Sequence, residues 1–116
     1  MPMLFGLITT TEDLKTQDKQ RSSKWPAVRN AWIKTHPTCA ACGGKDKLQV
    51  HHKLPFHLHP ELELNPINLL TLCEGTRECH LRFGHFFNWQ RYNPDVERMA
   101  REYLAGMAAA IARERI

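Results

Sequence analysis

Four cysteines, Cys39, Cys42, Cys73 and Cys79, lie close together in the middle of the chain. Cys39-Ala40-Ala41-Cys42 is a common half-site for zinc. Two thiolates on one turn can meet a tetrahedral ion, and Gly43 lets the backbone fold around it. The second half, Cys73 and Cys79, is spaced more widely than the usual gap of roughly two to four residues, and a longer loop can still close over an ion. In a secreted chain the same cysteines could form two disulfides in alternative pairings. In a reducing compartment a cluster of this kind favours a metal. A site closed by four thiolates has no open position, so its zinc would fold the chain and would not catalyse.

Between and after the cysteine pairs stand histidines. The chain has seven, and all but His36 fall between His51 and His85. A neutral imidazole is suited to take a proton from water near neutral pH. A divalent ion held by two or three side chains can stabilise charge gathering on the oxygens of a phosphoryl group. Hydrolysis of a phosphodiester needs a nucleophile made from water, and such an ion can stabilise its transition state. Adjacent residues of a regular strand point to opposite faces, so His51 and His52 share a cleft only if the strand ends or bends there. His57 and His59, in a proline-bounded loop, are expected to play no part. Phe83, Phe86, Phe87 and Trp89 are expected to be core and not a platform for stacked bases.

These residues must be positioned by a small set of elements. Trp25, Val28, Trp32 and Ile33 fall on helical spacing, Pro26 suits a first turn, and His36-Pro37 should stop the chain, which predicts a helix over 26–35. Leu48-Gln49-Val50-His51-His52 reads as a short strand ended by Pro55. Residues 54–67, rich in Pro, His and Asn, read as a loop, and Leu69-Leu70-Thr71-Leu72-Cys73 as the second strand of a hairpin. A helix is expected over 79–90, weakened by Gly84. Asn93-Pro94 makes an N-cap and first turn. Val96, Met99, Tyr103, Leu104, Met107 and Ile111 follow at three- and four-residue steps, which predicts an amphipathic helix from about 94 to 114.

Cys39-x2-Cys42, His51-His52 with Pro55, Asn68-Leu69-Leu70 and Cys73…Cys79-His80, in this order, resemble the HNH endonuclease family over about residues 25–90. Many members carry aspartate where this chain has His51, and colicin nuclease domains carry histidine. The resemblance implies an α+β fold: a small ββα-metal core with a short β-hairpin, a structural zinc site at the four cysteines, and flanking helices. It implies His52 as general base, His51 and His80 as ligands of a catalytic divalent ion (magnesium, manganese, nickel or zinc), and Asn68 as the brace that orients the base. His85 would be a third ligand or a phosphate contact. Lys53, Arg77, Arg82 and Arg91, with Lys45 and Lys47, flank the site and are candidates for DNA phosphates. The implied activity is hydrolysis of DNA phosphodiester bonds, by nicking or double-strand cleavage. A non-catalytic zinc-ribbon module binding nucleic acid or protein is the competing reading. It would keep the cysteines without needing His51, His52 and His80 to converge. A dithiol redox protein is a third reading, with no thioredoxin-like pattern behind it.

The 116 residues allow one domain, and a core so small gains from a metal staple. Residues 1–23 read as a polar, flexible arm, 24–92 as the core, and 93–116 as a helix packed on the core or at a homodimer interface. The net charge of +4 suits a polyanionic partner such as DNA. Absence of a long apolar run and of a signal-peptide pattern leads to the expectation of an intracellular, cytoplasmic protein with no membrane partner.

Overall fold

The computed structural model describes residues 20–114. Most of the N-terminal arm therefore lies outside the described residues. The elements run in the order α1 (Trp25–Thr35), β1 (Leu48–His52), β2 (Leu69–Cys73), a π-helical turn (His80–Gly84) and α2 (Val96–Glu114), with 3-10 turns at Pro60–Leu62 and Pro66–Asn68. This is a small α+β fold on a two-stranded antiparallel hairpin. The register pairs Leu48 with Cys73, Val50 with Thr71, His51 with Leu70 and His52 with Leu69.

β2 is buried along its whole length and forms the spine of the core. Leu72, Cys39, Cys73, Cys79, Phe83, Val96 and Ala100 pack together around it, so the cysteines are part of the core itself. α1 buries none of its residues fully. It is held instead by a polar pin: Trp32 Nε1 donates to Thr71 Oγ1 at 3.0 Å, and Thr71 Oγ1 donates to the His36 carbonyl at 2.9 Å. The His36 ring stacks on Trp32 with centroids 3.6 Å apart.

The expected helix over 79–90 is corrected to one π-helical turn ending at Gly84. Phe86 and Phe87 then take left-handed backbone, with φ of 51° and 63°, which no helix tolerates. The expected aromatic core group is corrected with it. Phe83 is buried, whereas Phe86, Phe87 and Trp89 are 40%, 62% and 55% exposed.

The carbonyls left open at the end of the π-turn are satisfied by Asn93. Its amide nitrogen Nδ2 donates to Phe83 O at 2.9 Å, and its backbone N–H donates to Gly84 O at 3.1 Å. Its Oδ1 accepts from Asp95 N at 2.9 Å, capping the turn that leads into α2. α2 buries Val96 and Ala100 against the core and leaves Leu104 and Ile111 exposed.

Candidate metal centres and the adjoining cavity

The four cysteine sulfurs lie within 4.8 Å of one another, and none is in a disulfide. The first pair sits on a knuckle closed by Cys39 N–H to Gly44 O at 2.8 Å and Gly43 N–H to Cys39 O at 2.9 Å. Gly43 has a φ of 75°, which favours glycine. Ala40 N–H donates to Thr71 O at 2.8 Å and so fixes the knuckle to β2. The second pair leaves the end of β2 and starts the π-turn. The wide gap between Cys73 and Cys79 is taken up by a turn in which Glu78 N–H donates to Gly75 O at 3.0 Å.

Cys42 Sγ and Cys73 Sγ are 3.7 Å apart. Thiolates placed at about 2.3 Å from one tetrahedral ion stand roughly 3.8 Å apart, so the spacing fits a zinc-sized ion. Burial, with the neighbouring Cys39 sulfur, pushes the Cys79 thiol well above its usual value. Burial raises Cys42 as well. Burial also acts against the Cys73 thiolate, but amide hydrogens of Cys79 and Gly75 directed at its sulfur bring it below the usual value. A cation at the centre would reverse the mutual repulsion of the thiolates.

The second cluster is formed by His51, His80 and His85, whose ligand nitrogens also lie within 4.8 Å of one another. The ring centroids are 5.0 Å apart for each pair. His85 is five positions on from His80. On an α-helix that places them about 140° apart. The wider i→i+5 turn brings them to one side.

Two tautomers follow from the partners. His80 Nδ1 donates to Glu74 Oε2 at 2.9 Å, and His85 Nδ1 donates to the Arg91 carbonyl at 2.6 Å. Both acceptors can only accept, so Nδ1 is the donor in each ring and Nε2 is the nitrogen turned to the cluster. His80 Nε2 is 3.1 Å from His51 Nδ1. Two nitrogens at about 2.1 Å from a shared ion stand roughly 3.0–3.4 Å apart. His51 is 2% exposed, and its Nε2 is buried with no partner among the described residues. Burial, with the nearby His80 and His85, pushes its pKa down to about 2. Burial also lowers His80, against the opposing pull of Glu74. Burial therefore favours the neutral imidazole at His51 and His80, the state in which histidine binds metal.

His51 packs face-on against Gly84. A Cβ added there would stand 2.8 Å from His51 Cε1 and 3.0 Å from Nδ1. Gly84 is thus required by the close approach of the ring.

β1 ends at His52, and His51 and His52 line the same cavity, of about 480 Å³. His52 Nε2 donates to the Glu63 carbonyl at 2.9 Å, which leaves Nδ1 as its lone-pair nitrogen. Trp25 covers the ring, with centroids 4.5 Å apart. Burial lowers the His52 pKa, partly opposed by the Glu63 carbonyl.

Asn68 clamps the chain just beyond His52. Its Oδ1 accepts from Leu54 N at 2.8 Å, its Nδ2 donates to Leu54 O at 3.0 Å and to Leu62 O at 3.3 Å, and its carbonyl accepts from Lys53 N at 2.8 Å. The Glu63 side chain, buried, accepts from Ser22 N at 3.1 Å and from Arg21 at 3.3 Å. The described end of the N-terminal arm is thereby tied to the loop that holds His52.

Among the basic residues singled out from sequence, Arg91 lines the cavity. Lys53 does not: it pairs with Glu97 at 2.8 Å. Arg77 lies beside the cysteines, donating to Tyr103 Oη at 3.3 Å, and Arg82 lies near Phe83 and Phe87. Lys45 lies beside the cysteines too. His57, expected to play no part, lines the cavity, while His59 pairs with Glu61 at 3.3 Å.

Sequence reasoning missed Glu74, Arg21 and the Glu63 carbonyl, and it read Gly84 and Asn93 only as a weak point of a helix and an N-cap. Glu74 and His80 each directly follow a cysteine of the cluster, and that parallel was the available signal for the pair.

Fold and clusters together define a small α+β protein with a hairpin, a four-cysteine set that could hold a structural metal such as zinc, and a separate three-histidine set. No family model, no curated protein and no solved structure matches the chain significantly. Among the described residues no helix is long and apolar enough to cross a membrane.

Proposed function

We propose that this chain is a metal-dependent endonuclease of the HNH type that hydrolyses DNA phosphodiester bonds. The observation that carries the reading is the convergence of His51, His80 and His85 beside a cavity that His52 also lines. A zinc-ribbon binding module needs the four cysteines and has no use for a second set of oriented imidazoles next to an open cavity.

His51, His80 and His85 would hold the catalytic divalent ion, which when bound supplies positive charge against the phosphoryl oxygens and the leaving O3′. An all-imidazole set suits nickel, zinc or manganese better than magnesium. His52 Nδ1 takes a proton from water as the water oxygen forms its bond to phosphorus. The P–O3′ bond breaks, giving a 5′-phosphate and, once O3′ is protonated, a 3′-hydroxyl. The Glu63 carbonyl holds His52 in the tautomer that this requires. Asn68 acts at one remove, fixing the segment Lys53–Leu54 that follows the base. Arg21 and Arg91, at the cavity wall, neutralise substrate phosphates. A homodimer through the exposed Leu104 and Ile111 of α2 would supply two sites for two strands, and a monomer would nick.

The test is incubation of the protein with supercoiled plasmid and added manganese or nickel, beside His52→Ala. Cleavage by the parent and at least a hundredfold less by a variant that keeps its zinc is expected. Equal cleavage by both, or none by the parent with any ion, would overturn the reading.

A further inference from the structure

The segment between His85 and Arg91 has features that the hydrolytic reading leaves unused. Phe86, Phe87 and Trp89 all stand out in solvent. Left-handed backbone at Phe86 and Phe87 is a conformation aromatic residues rarely adopt. It is held by Phe87 N–H to Leu81 O at 2.9 Å and Asn88 N–H to His85 O at 3.0 Å. Local strain maintained by surrounding bonds is a common mark of a binding segment.

Trp89 lines the cavity, with its ring 4.9 Å from that of His85 and 5.1 Å from that of His80. Phe56 also lines the cavity, with the Arg21 guanidinium 4.3 Å from its ring centroid. Arg91 completes a wall that is both aromatic and cationic.

The geometry points to an unpaired nucleotide of a DNA strand as the occupant of this cavity, with its base stacked on Trp89 and its phosphate towards the histidines. This deepens the endonuclease reading, and rests on it, by naming the substrate: single-stranded or locally unpaired DNA. A base inside a duplex offers no π-face to a side chain at its flank. An unpaired base does, whatever its identity. The volume of about 480 Å³ is that of a small-ligand pocket. It takes one nucleotide and not a base pair with its helix. The positive charges of Arg21 and Arg91 at the wall match the polyanion.

The test measures binding by fluorescence anisotropy. The probes are a labelled oligothymidine and a labelled duplex of equal length. His52→Ala serves as the background so that cleavage does not intervene, beside His52→Ala/Trp89→Ala and His52→Ala/Trp89→Phe. The single strand is expected to bind at least tenfold more tightly than the duplex. Trp89→Ala should weaken the single strand by about 5- to 150-fold, change the duplex by less than twofold, and be largely rescued by Trp89→Phe. Equal affinity for both probes, or an unchanged single-strand affinity in Trp89→Ala, would overturn the inference. So would a dimer in sedimentation that Trp89→Ala dissociates, because the patch would then be an interface between copies. Failure of the two readings is distinguishable. If Trp89 is required for single-strand binding but the parent cleaves neither probe, the hydrolase falls and the binding site stands. If the parent cleaves duplex as fast as single strand and Trp89→Ala changes nothing, the site falls and the hydrolase stands.

Discussion

Glu74 is the residue on which the orientation of the histidine cluster turns. Its carboxylate fixes the His80 ring, and through it the lone pair facing His51. Partners of this kind typically contribute about 10- to 100-fold in metal affinity. Glu74→Gln is therefore expected to weaken nickel or cobalt binding at the histidines by that factor while the zinc content of the cysteine site stays unchanged. Titration calorimetry and metal analysis read the two separately. An unaltered affinity would mean that Glu74 is only a surface acid. Gly84 sets the His51 ring that His80 faces. In Gly84→Ala the new methyl meets the His51 imidazole at 2.8 Å, and the ring or the π-turn must move. The expected cost is about 1–3 kcal/mol of stability, read as a lower Tm, together with a loss of ion affinity. A variant of parental Tm and affinity would show that the ring has room to give.

At the scale of elements, the regular pieces were legible and the irregular one was not. β1 and β2 have the bounds their apolar runs and flanking turns indicate, and α1 starts one residue before the expected 26–35. The alternation of His51 and His52 was correctly in doubt, and the structure resolves it by letting the cavity reach both rings at the end of β1. The expected helix over 79–90 failed because a propensity reading weighs Leu81, Phe83, Phe86 and Phe87 as one apolar face. What ends the turn is tertiary: Gly84 against His51, and Asn93 taking the open carbonyls. The five-residue step from His80 to His85 suits a single cluster only on a turn wider than an α-helix. The cysteines tie these elements together, since Cys39, Cys73 and Cys79 are core residues contributed by the knuckle, by β2 and by the start of the π-turn. Structural zinc binding is worth about 10–16 kcal/mol in small domains, as much as a typical domain's whole stability of about 5–15 kcal/mol. Removing the metal with a strong chelator, or substituting Cys79→Ser, is expected to unfold the chain, with loss of far-UV circular dichroism in step with zinc release. Retention of the native spectrum after complete zinc loss would show that the apolar core suffices.

Over the whole molecule, the net charge of +4 is modest, and its placement matters more than its sum. Lys53 is neutralised by Glu97, and Arg98 by Asp95 and Glu102. Arg77 and Lys45 stand beside the cysteines, away from the histidine cavity. Among the described residues Arg21 and Arg91 line the cavity itself, and Arg21 shares its charge with Glu63. A footprint of so few phosphate contacts predicts binding that depends on salt, but shallowly. Each contact contributes about −0.7 to the slope of log affinity against log salt for a single strand, so Arg21 and Arg91 together give roughly −1.4. Arg91→Gln should remove about half of that slope and lower affinity uniformly across sequences, since phosphate contacts carry no base information. The stacking contribution of Trp89 should survive at high salt, because it releases no counterions. Affinities of the parent, Arg91→Gln and Trp89→Ala between about 50 and 200 mM salt, the range over which counterion release is usually resolved, separate the two parts. Parallel slopes for parent and Arg91→Gln would remove Arg91 from the phosphate path. A Trp89→Ala slope as shallow as that of Arg91→Gln would mean that the two act on one contact and not on base and backbone separately.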